Sequence, residues 1–212
     1  MRRPRCLVPL LGVTAALAVT GCKDKAEGAG SAGHTRAAPP RAIDVDALAA
    51  VTAPGFTFST TSKRRDKVTL AFRGEVAGAK VKGLIDVGKC VPADLCPTLD
   101  VDAFRANKDL EGVLSSALAH DPRTVFEIDR ADLGGREVIT VYRLGFVETG
   151  ETTVSDHGLD VWWNDGTNML MINIYDGEVV HADSFEEFQA RATRPGFDAA
   201  AAALVEAFDG TL

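Results

Sequence analysis

From residue 56 to residue 175 the apolar side chains recur mainly at every second position, and this period restricts the chain more than any other feature. Phe56, Phe58 and Thr60 alternate with their neighbours, as do Val68, Leu70 and Phe72. Ser62-Lys63-Arg64-Arg65-Asp66 lies between them as a polar tip. Val81, Ile85 and Val87 extend the pattern to a third segment that stops at Cys90. Successive side chains on an extended strand point to opposite faces, so alternation of this kind predicts half-buried antiparallel strands. Residues 125–130 and 138–147 read as two more, joined through Leu133-Gly134-Gly135-Arg136, where adjacent glycines supply the positive φ of a tight hairpin. Residues 138–147 are apolar on both faces, which predicts a place near the middle of the sheet. Residues 159–163 and 169–175 form a further hairpin around Asn164-Asp165-Gly166-Thr167.

Helical spacing appears before, between and after these runs. Residues 43–50 suit a short first helix. Residues 102–120 carry Phe104, Leu110, Val113, Leu114, Ala117 and Leu118 on one stripe, and Asp121-Pro122 ends it. Ser184-Phe185-Glu186-Glu187 is a capping box opening a helix with Phe185 and Phe188. Pro195-Gly196 is predicted to break that helix, and a last one from Asp198 packs Ala201, Leu204, Val205 and Phe208. The order β-β-β-α-β-β-β-β-α-α contains no alternating βαβ units. It predicts an α+β domain over residues 43–212, an antiparallel sheet of about six to seven strands with helices packed on it.

Ahead of this domain stands a different kind of sequence. Arg2, Arg3 and Arg5 precede an apolar run, residues 6–19, that is too short for a resident bilayer span. Small residues then lead into Cys22, as Val19-Thr20-Gly21-Cys22. A basic start, an apolar stretch and a small-residue cleavage zone make an export signal over residues 1–21. An ordinary signal followed by an incidental cysteine would favour an Ala-x-Ala-like site, which is not what precedes Cys22. The stretch resembles the lipobox of bacterial lipoproteins. That resemblance implies diacylglycerol on the sulfur of Cys22, cleavage after Gly21, and often acylation of the new amino terminus. It also implies an extracytoplasmic location, and Lys23 after the cysteine favours the outer over the inner membrane, with Asp24 one place later pulling the other way. Two or more acyl chains anchor stably where one holds only reversibly. Residues 22–42, rich in Gly, Ala, Ser and Pro without apolar period, read as a flexible tether spanning on the order of 25 Å.

Three of the 23 basic residues leave with the signal, so twenty face 30 acids and the remaining chain carries a net charge of −10. Such a balance argues against nucleic acid as a partner. The basic residues concentrate early: Lys63, Arg64, Arg65, Lys67, Arg73, Lys80, Lys82 and Lys89 stand against Asp66, Glu75 and Asp86. A solvated strand face and hairpin tip is the plain reading, and an anion or phospholipid contact the functional one. With Cys6 removed and Cys22 lipidated, Cys90 and Cys96 remain as a pair in an oxidising compartment, which predicts a disulfide. Closing so short a loop contributes only about 2–2.5 kcal/mol.

Chemistry is sparse. No nucleophile elbow, zinc-protease helix, phosphate loop or dinucleotide fingerprint is present, and no metal or cofactor is expected. Gly28-Ala29-Gly30-Ser31-Ala32-Gly33 lies in the tether with no strand before it. His120-Asp121, Asp156-His157 and His181 near Asp183 place imidazoles beside acids, but neighbours along a strand face opposite ways, so surface histidine is the reading preferred. Asp165-Gly166-Thr167-Asn168 and Asp176-Gly177-Glu178 lack the ligand spacing of a calcium loop and read as turns. For Trp162-Trp163, one indole must face the core and the other the opposite face, as a second core residue or as a platform for a partner.

The order of elements over residues 56–210 is similar to the PsbP-like α/β/α sandwich of photosystem accessory proteins and some mycobacterial lipoproteins. That likeness implies an accessory or partner-binding role and carries no residue over. Two functions follow as expectations. One is a membrane-anchored, non-catalytic lipoprotein binding an envelope protein or a small ligand, with Trp162, Trp163, Arg64, Arg65 and Lys67 as candidate contacts. The other is a small extracytoplasmic hydrolase whose acids come from scattered positions such as Asp156, Asp160 and Asp176.

Overall fold

A computed structural model describes residues 43–90, 100–102, 116–149, 152–178, 182–192 and 194–212. The export signal, the tether, Cys22, Cys96, His181 and most of the expected helix over 102–120 lie outside the described residues. Seven strands are present: β1 (Phe56–Lys63), β2 (Lys67–Val76), β3 (Ala79–Lys89), β4 (Val125–Leu133), β5 (Arg136–Thr149), β6 (Thr152–Asn164) and β7 (Asn168–Asp176). They form one sheet in the order β1-β2-β3-β7-β6-β5-β4, every neighbouring pair antiparallel. Two meanders, β1–β3 and β4–β7, therefore meet where β3 pairs with β7. The class is α+β with an antiparallel sheet, as the alternation implied.

The period-two pattern has the expected consequence. Leu70, Ile85, Ile172 and Val161 stand opposite one another in a single row across β2, β3, β7 and β6, each fully buried. They point to one face, called here the core face. Four helical segments are described: α1 (Val45–Ala49), α2 (Ser116–Ala119), α3 (Phe185–Arg191) and α4 (Arg194–Asp209). Val45 and Leu48 of α1, Phe188 of α3, and Phe197, Ala200, Ala201, Leu204, Val205 and Phe208 of α4 join the core on that face. Full burial of one such leucine or phenylalanine contributes roughly 1.5–3 kcal/mol.

Local signals place the ends. Gly134 and Gly135 both adopt positive φ (59° and 76°) in the β4–β5 turn, as a two-residue primed turn demands. At α3, Ser184 Oγ accepts from the Glu187 N–H at 3.2 Å, while Glu187 Oε2 accepts from the Asp183 N–H at 2.9 Å. The hydroxyl half of the expected capping box is thus formed, whereas the carboxylate reaches the amide one residue before the N-cap.

Three expectations need correction. Helix α4 does not begin after Pro195-Gly196 but runs through it from Arg194. Proline is tolerated in a first helical turn, because the N–H it lacks would have no intrahelical acceptor there. Strand β5 is not central but next to the edge strand β4. Its outer side chains Ile139 and Val141 are buried by a second cluster with Val101 and Ile128, and Leu118 of α2 lies so near Gly145 that a Cβ there would come within 2.9 Å. Double-sided burial thus reflects local cover at one end of the sheet. Finally, the described helices do not sandwich the sheet. Helices α1, α3 and α4 share the core face, and α2 covers only the β5 end of the other. Among the described residues no helix covers that face over β1, β2, β3 and β7. Among the described residues no helix is long and apolar enough to cross a membrane.

Candidate functional site

Three strands carry nearly all the polar residues that the fold buries. On the outer face, Arg143 of β5 sits opposite Gly158 of β6, and its side chain is only 3% exposed. A Cβ on Gly158 would lie 2.5 Å from Arg143 Nη2, so the glycine leaves the space the guanidinium occupies. Arg143 Nε donates to Asp156 Oδ2 at 2.9 Å, and Nη1 donates to Asp160 Oδ2. Asn173 Nδ2 of β7 donates to the other oxygen of Asp160 at 2.8 Å. The ring of Tyr175 lies 5.7 Å from the guanidinium carbon.

Burial pushes the Asp160 carboxyl up from its ordinary range, with the Arg143 cation and the Asn173 amide opposing. For Arg143 burial pulls the other way, but Asp160 and Asp156 outweigh it and the guanidinium is held more firmly charged. Burial, then the charge of Asp160, raise the Tyr175 phenol above its ordinary range.

On the core face a second chain crosses the same strands. Asp176 Oδ2 lies 2.8 Å from His157 Nδ1, and His157 Nε2 lies 3.3 Å from the Tyr142 hydroxyl. The imidazole is 1% exposed and stacks at 4.4 Å on Phe197, with Phe188 edge-on at 6.3 Å. Arg194 covers the Tyr142 ring at 4.8 Å and also pairs with Glu127. Burial raises the Tyr142 phenol, and the Arg194 cation opposes it. An open depression of about 250 Å³ at the end of β7 is lined by Lys82, Asp156, His157, Tyr175, Asp176 and Glu178, among others. Its acids are engaged: Asp156 by Arg143, Asp176 by His157, and Glu178 by Lys80 at 2.6 Å. No group of three or more metal-ligating side chains is found among the described residues.

The structure separates most of the expected contact residues. Trp163 lies on the core side, half-buried, with Arg136 stacked over its ring at 4.2 Å. Trp162 is half-buried on the outer face against the second cluster. Lys67 shares that face but pairs with Asp86 at 2.9 Å, and three strand spacings, about 14 Å, separate it from Trp162. Arg64 and Arg65 are exposed at the β1–β2 tip. The five residues therefore form no single patch.

The scattered acids fare differently. Asp156 and Asp160 converge on Arg143, while Asp176 reaches His157 from the adjacent strand. As expected, Asp156 and His157 face opposite ways. The surface reading of His157 is corrected: it is a core residue, because its partner comes from a neighbouring strand and not from its neighbour in sequence. Arg143, Asn173, Tyr142 and Tyr175 went unremarked in the sequence. The usable signal was Arg143 itself, a charged residue inside an otherwise largely apolar strand. Cys90 is buried at the end of β3, with its expected partner Cys96 outside the described residues. Comparison with known proteins finds no family model, curated protein or solved structure that matches the chain.

Proposed function

We propose that this protein is an extracytoplasmic lipoprotein, held through acyl chains on Cys22, whose domain binds a partner in the cell envelope and turns nothing over. Supporting the anchor are the basic start, the apolar stretch and Gly21-Cys22. The binding role rests on one observation: on the outer face of β1, β2, β3 and β7, which no helix among the described residues covers, large apolar side chains are exposed. Leu84 and Tyr175, the large apolar side chains most exposed among the described residues at 44% and 36%, lie next to each other on that face. A sheet of this kind usually buries both faces or makes the open one polar. The disulfide between Cys90 and Cys96 belongs to the same proposal, as does placement in the outer membrane.

Detergent partitioning of wild type and Cys22→Ser tests the anchor. The wild type is expected in the detergent phase and the variant in the aqueous phase or as uncleaved precursor. A Ser variant that stays with membranes through a high-salt wash refutes it.

The Asp176–His157–Tyr142 chain favours a second reading, a small hydrolase. Its terminal hydroxyl, however, belongs to Tyr142, a residue 7% exposed and covered by Arg194, where no substrate reaches it. The chain accordingly serves to fix β5, β6 and β7 to α4. Turnover of an ester, phosphate, glycan or peptide substrate by the metal-replete protein, abolished by changing His157, Asp160 or His181, would install the enzyme reading instead.

A further inference from the structure

The two edges of the sheet, β1 and β4, differ in kind. Strand β4 carries Glu127, Asp129, Arg130 and Asp132, with Glu127 paired to Arg194 and Arg130 to Glu137. Charges along an edge oppose its pairing with another chain. Residues 56–62 of β1 carry no charge and no proline, and all but two of them are phenylalanine or threonine. The bulge between Thr60 and Ser62 leaves the ladder regular from Phe56 to Thr60.

Hydrogen-bond directions leave that regular stretch with unused backbone groups. The Gly55 carbonyl accepts from the Glu75 N–H at 3.2 Å, and the Phe56 N–H turns away to the Ala53 carbonyl at 3.1 Å. Alternation along an antiparallel strand then aims Thr57 and Ser59 at β2, and Phe58 and Thr60 away from the sheet. No strand among the described residues pairs with β1 on that side. The half-buried rings of Phe56 and Phe58 stack at 6.2 Å along the same margin.

We propose that β1 pairs antiparallel with β1 of a second copy, about a two-fold axis at Ser59, so that two sheets become one. Phe58 of each copy then stands opposite Thr60 of the other, and their N–H and carbonyl groups satisfy one another in four hydrogen bonds. Charge placement favours this occupant and this orientation. Antiparallel pairing sets the two Lys63-Arg64-Arg65 tips at opposite ends of the seam, about 25 Å apart, well beyond a Debye length of about 8 Å. Counting the bulge, Arg64 comes level with Gly55 of the second copy, two strand spacings, about 10 Å, from that copy's Glu75 on the same face. Among the described residues neither side chain makes a hydrogen bond or an ion pair. One cation–acid contact thus becomes available at each end, while β2 and β3 separate the acids of β4–β7 from the seam. The pairing rests on the edge itself, and the anchor proposed above would only concentrate the copies in one plane.

The test is cysteine trapping with the full chain in its own envelope. Ser59→Cys faces its counterpart in a non-hydrogen-bonded pair, with Cα atoms about 4.5 Å apart, within the range a disulfide spans. Mild oxidation is expected to give a homodimer in which mass spectrometry finds the two introduced thiols joined. Asp132→Cys on β4 and Gln189→Cys on α3 should give roughly a tenth of that yield or less. Adding Thr60→Pro removes an N–H that a single copy leaves unused and should cut the Ser59→Cys dimer roughly ten-fold. Adding Thr60→Lys, a change at an exposed position, should cut it about five-fold with thermal unfolding unchanged, which guards against a loss through misfolding. No dimer from position 59, equal dimers from all three positions, yields insensitive to both Thr60 variants, or a disulfide to a different protein would overturn the inference. Detergent partitioning of the same sample reports on the anchor separately, and none of these outcomes bears on the outer-face binding role.

Discussion

Replacing Gly158 by alanine is the most direct probe of the Arg143 cluster. The new Cβ would lie 2.5 Å from Arg143 Nη2 and 3.1 Å from the Ile174 carbonyl oxygen. Restoring an ordinary separation of about 3.5 Å moves the guanidinium by roughly 1 Å. That guanidinium is fixed on its far side by Asp156 at 2.9 Å and by Asp160, so the shift weakens both charge-assisted bonds. Overpacking of this sort costs about 1–3 kcal/mol. Against it, alanine restricts the unfolded chain at an extended position and recovers about 0.4–1 kcal/mol. The net expectation is a loss of about 1.3 kcal/mol, or a Tm lower by about 3–5 °C for a domain of this size. Urea unfolding of wild type, Gly158→Ala, the Arg143→Met/Asp160→Asn variant and the triple combination forms a double-mutant cycle. Removing Arg143 and Asp160 together avoids orphaning a buried charge. In that background Gly158→Ala should cost less than about 0.5 kcal/mol, giving a coupling of at least about 0.8 kcal/mol. Equal costs in the two backgrounds would show that the clash is with the Ile174 backbone and that Gly158 does not serve the arginine.

The remaining expectations are smaller in scope. Because burial holds the folded Asp160 pKa above its unfolded value, the wild type should lose stability relative to Asp160→Asn as pH rises through the carboxylate range, and keep that deficit above it. Urea midpoints of the two proteins at intervals from pH 3.5 to 6.5 check this, and a gap that closes with rising pH contradicts the sign. Ser184→Ala removes the acceptor for the Glu187 N–H and should destabilise by about 1 kcal/mol, whereas Ser184→Asp should be near neutral, both read by thermal unfolding. Thiol labelling of denatured, unreduced protein purified from the envelope should find Cys90 and Cys96 unreactive, and recovery of both thiols would refute the disulfide.

What could be read from the chain alone was what depends on near neighbours. Alternation at Val68-Leu70-Phe72 settles which side chains enter the core, because the strand period is two whatever the strand pairs with. Gly134-Gly135 and Ser184-Glu187 marked a turn and a helix start, since both features close within four residues. Even Pro195-Gly196, misread as a break, failed only over which helical turn the proline occupies.

Period two says which face a residue takes but nothing about the strand beside it, and pairing is where the tertiary structure decided. The second meander could have added at β1, or anywhere along the first. Only its docking of β7 against β3 brings Tyr175 beside Lys82 and Asn173 beside Leu84. The extension of β6 back to Thr152 likewise puts Asp156 and His157 on a strand and so carries Asp156 to Arg143 and His157 to Asp176, contacts that the shorter run read at 159–163 did not encode. Signals that close within one turn of chain can be read in order. The polar clusters and the open face arise from contacts between segments, and only the folded sheet determines which segments meet.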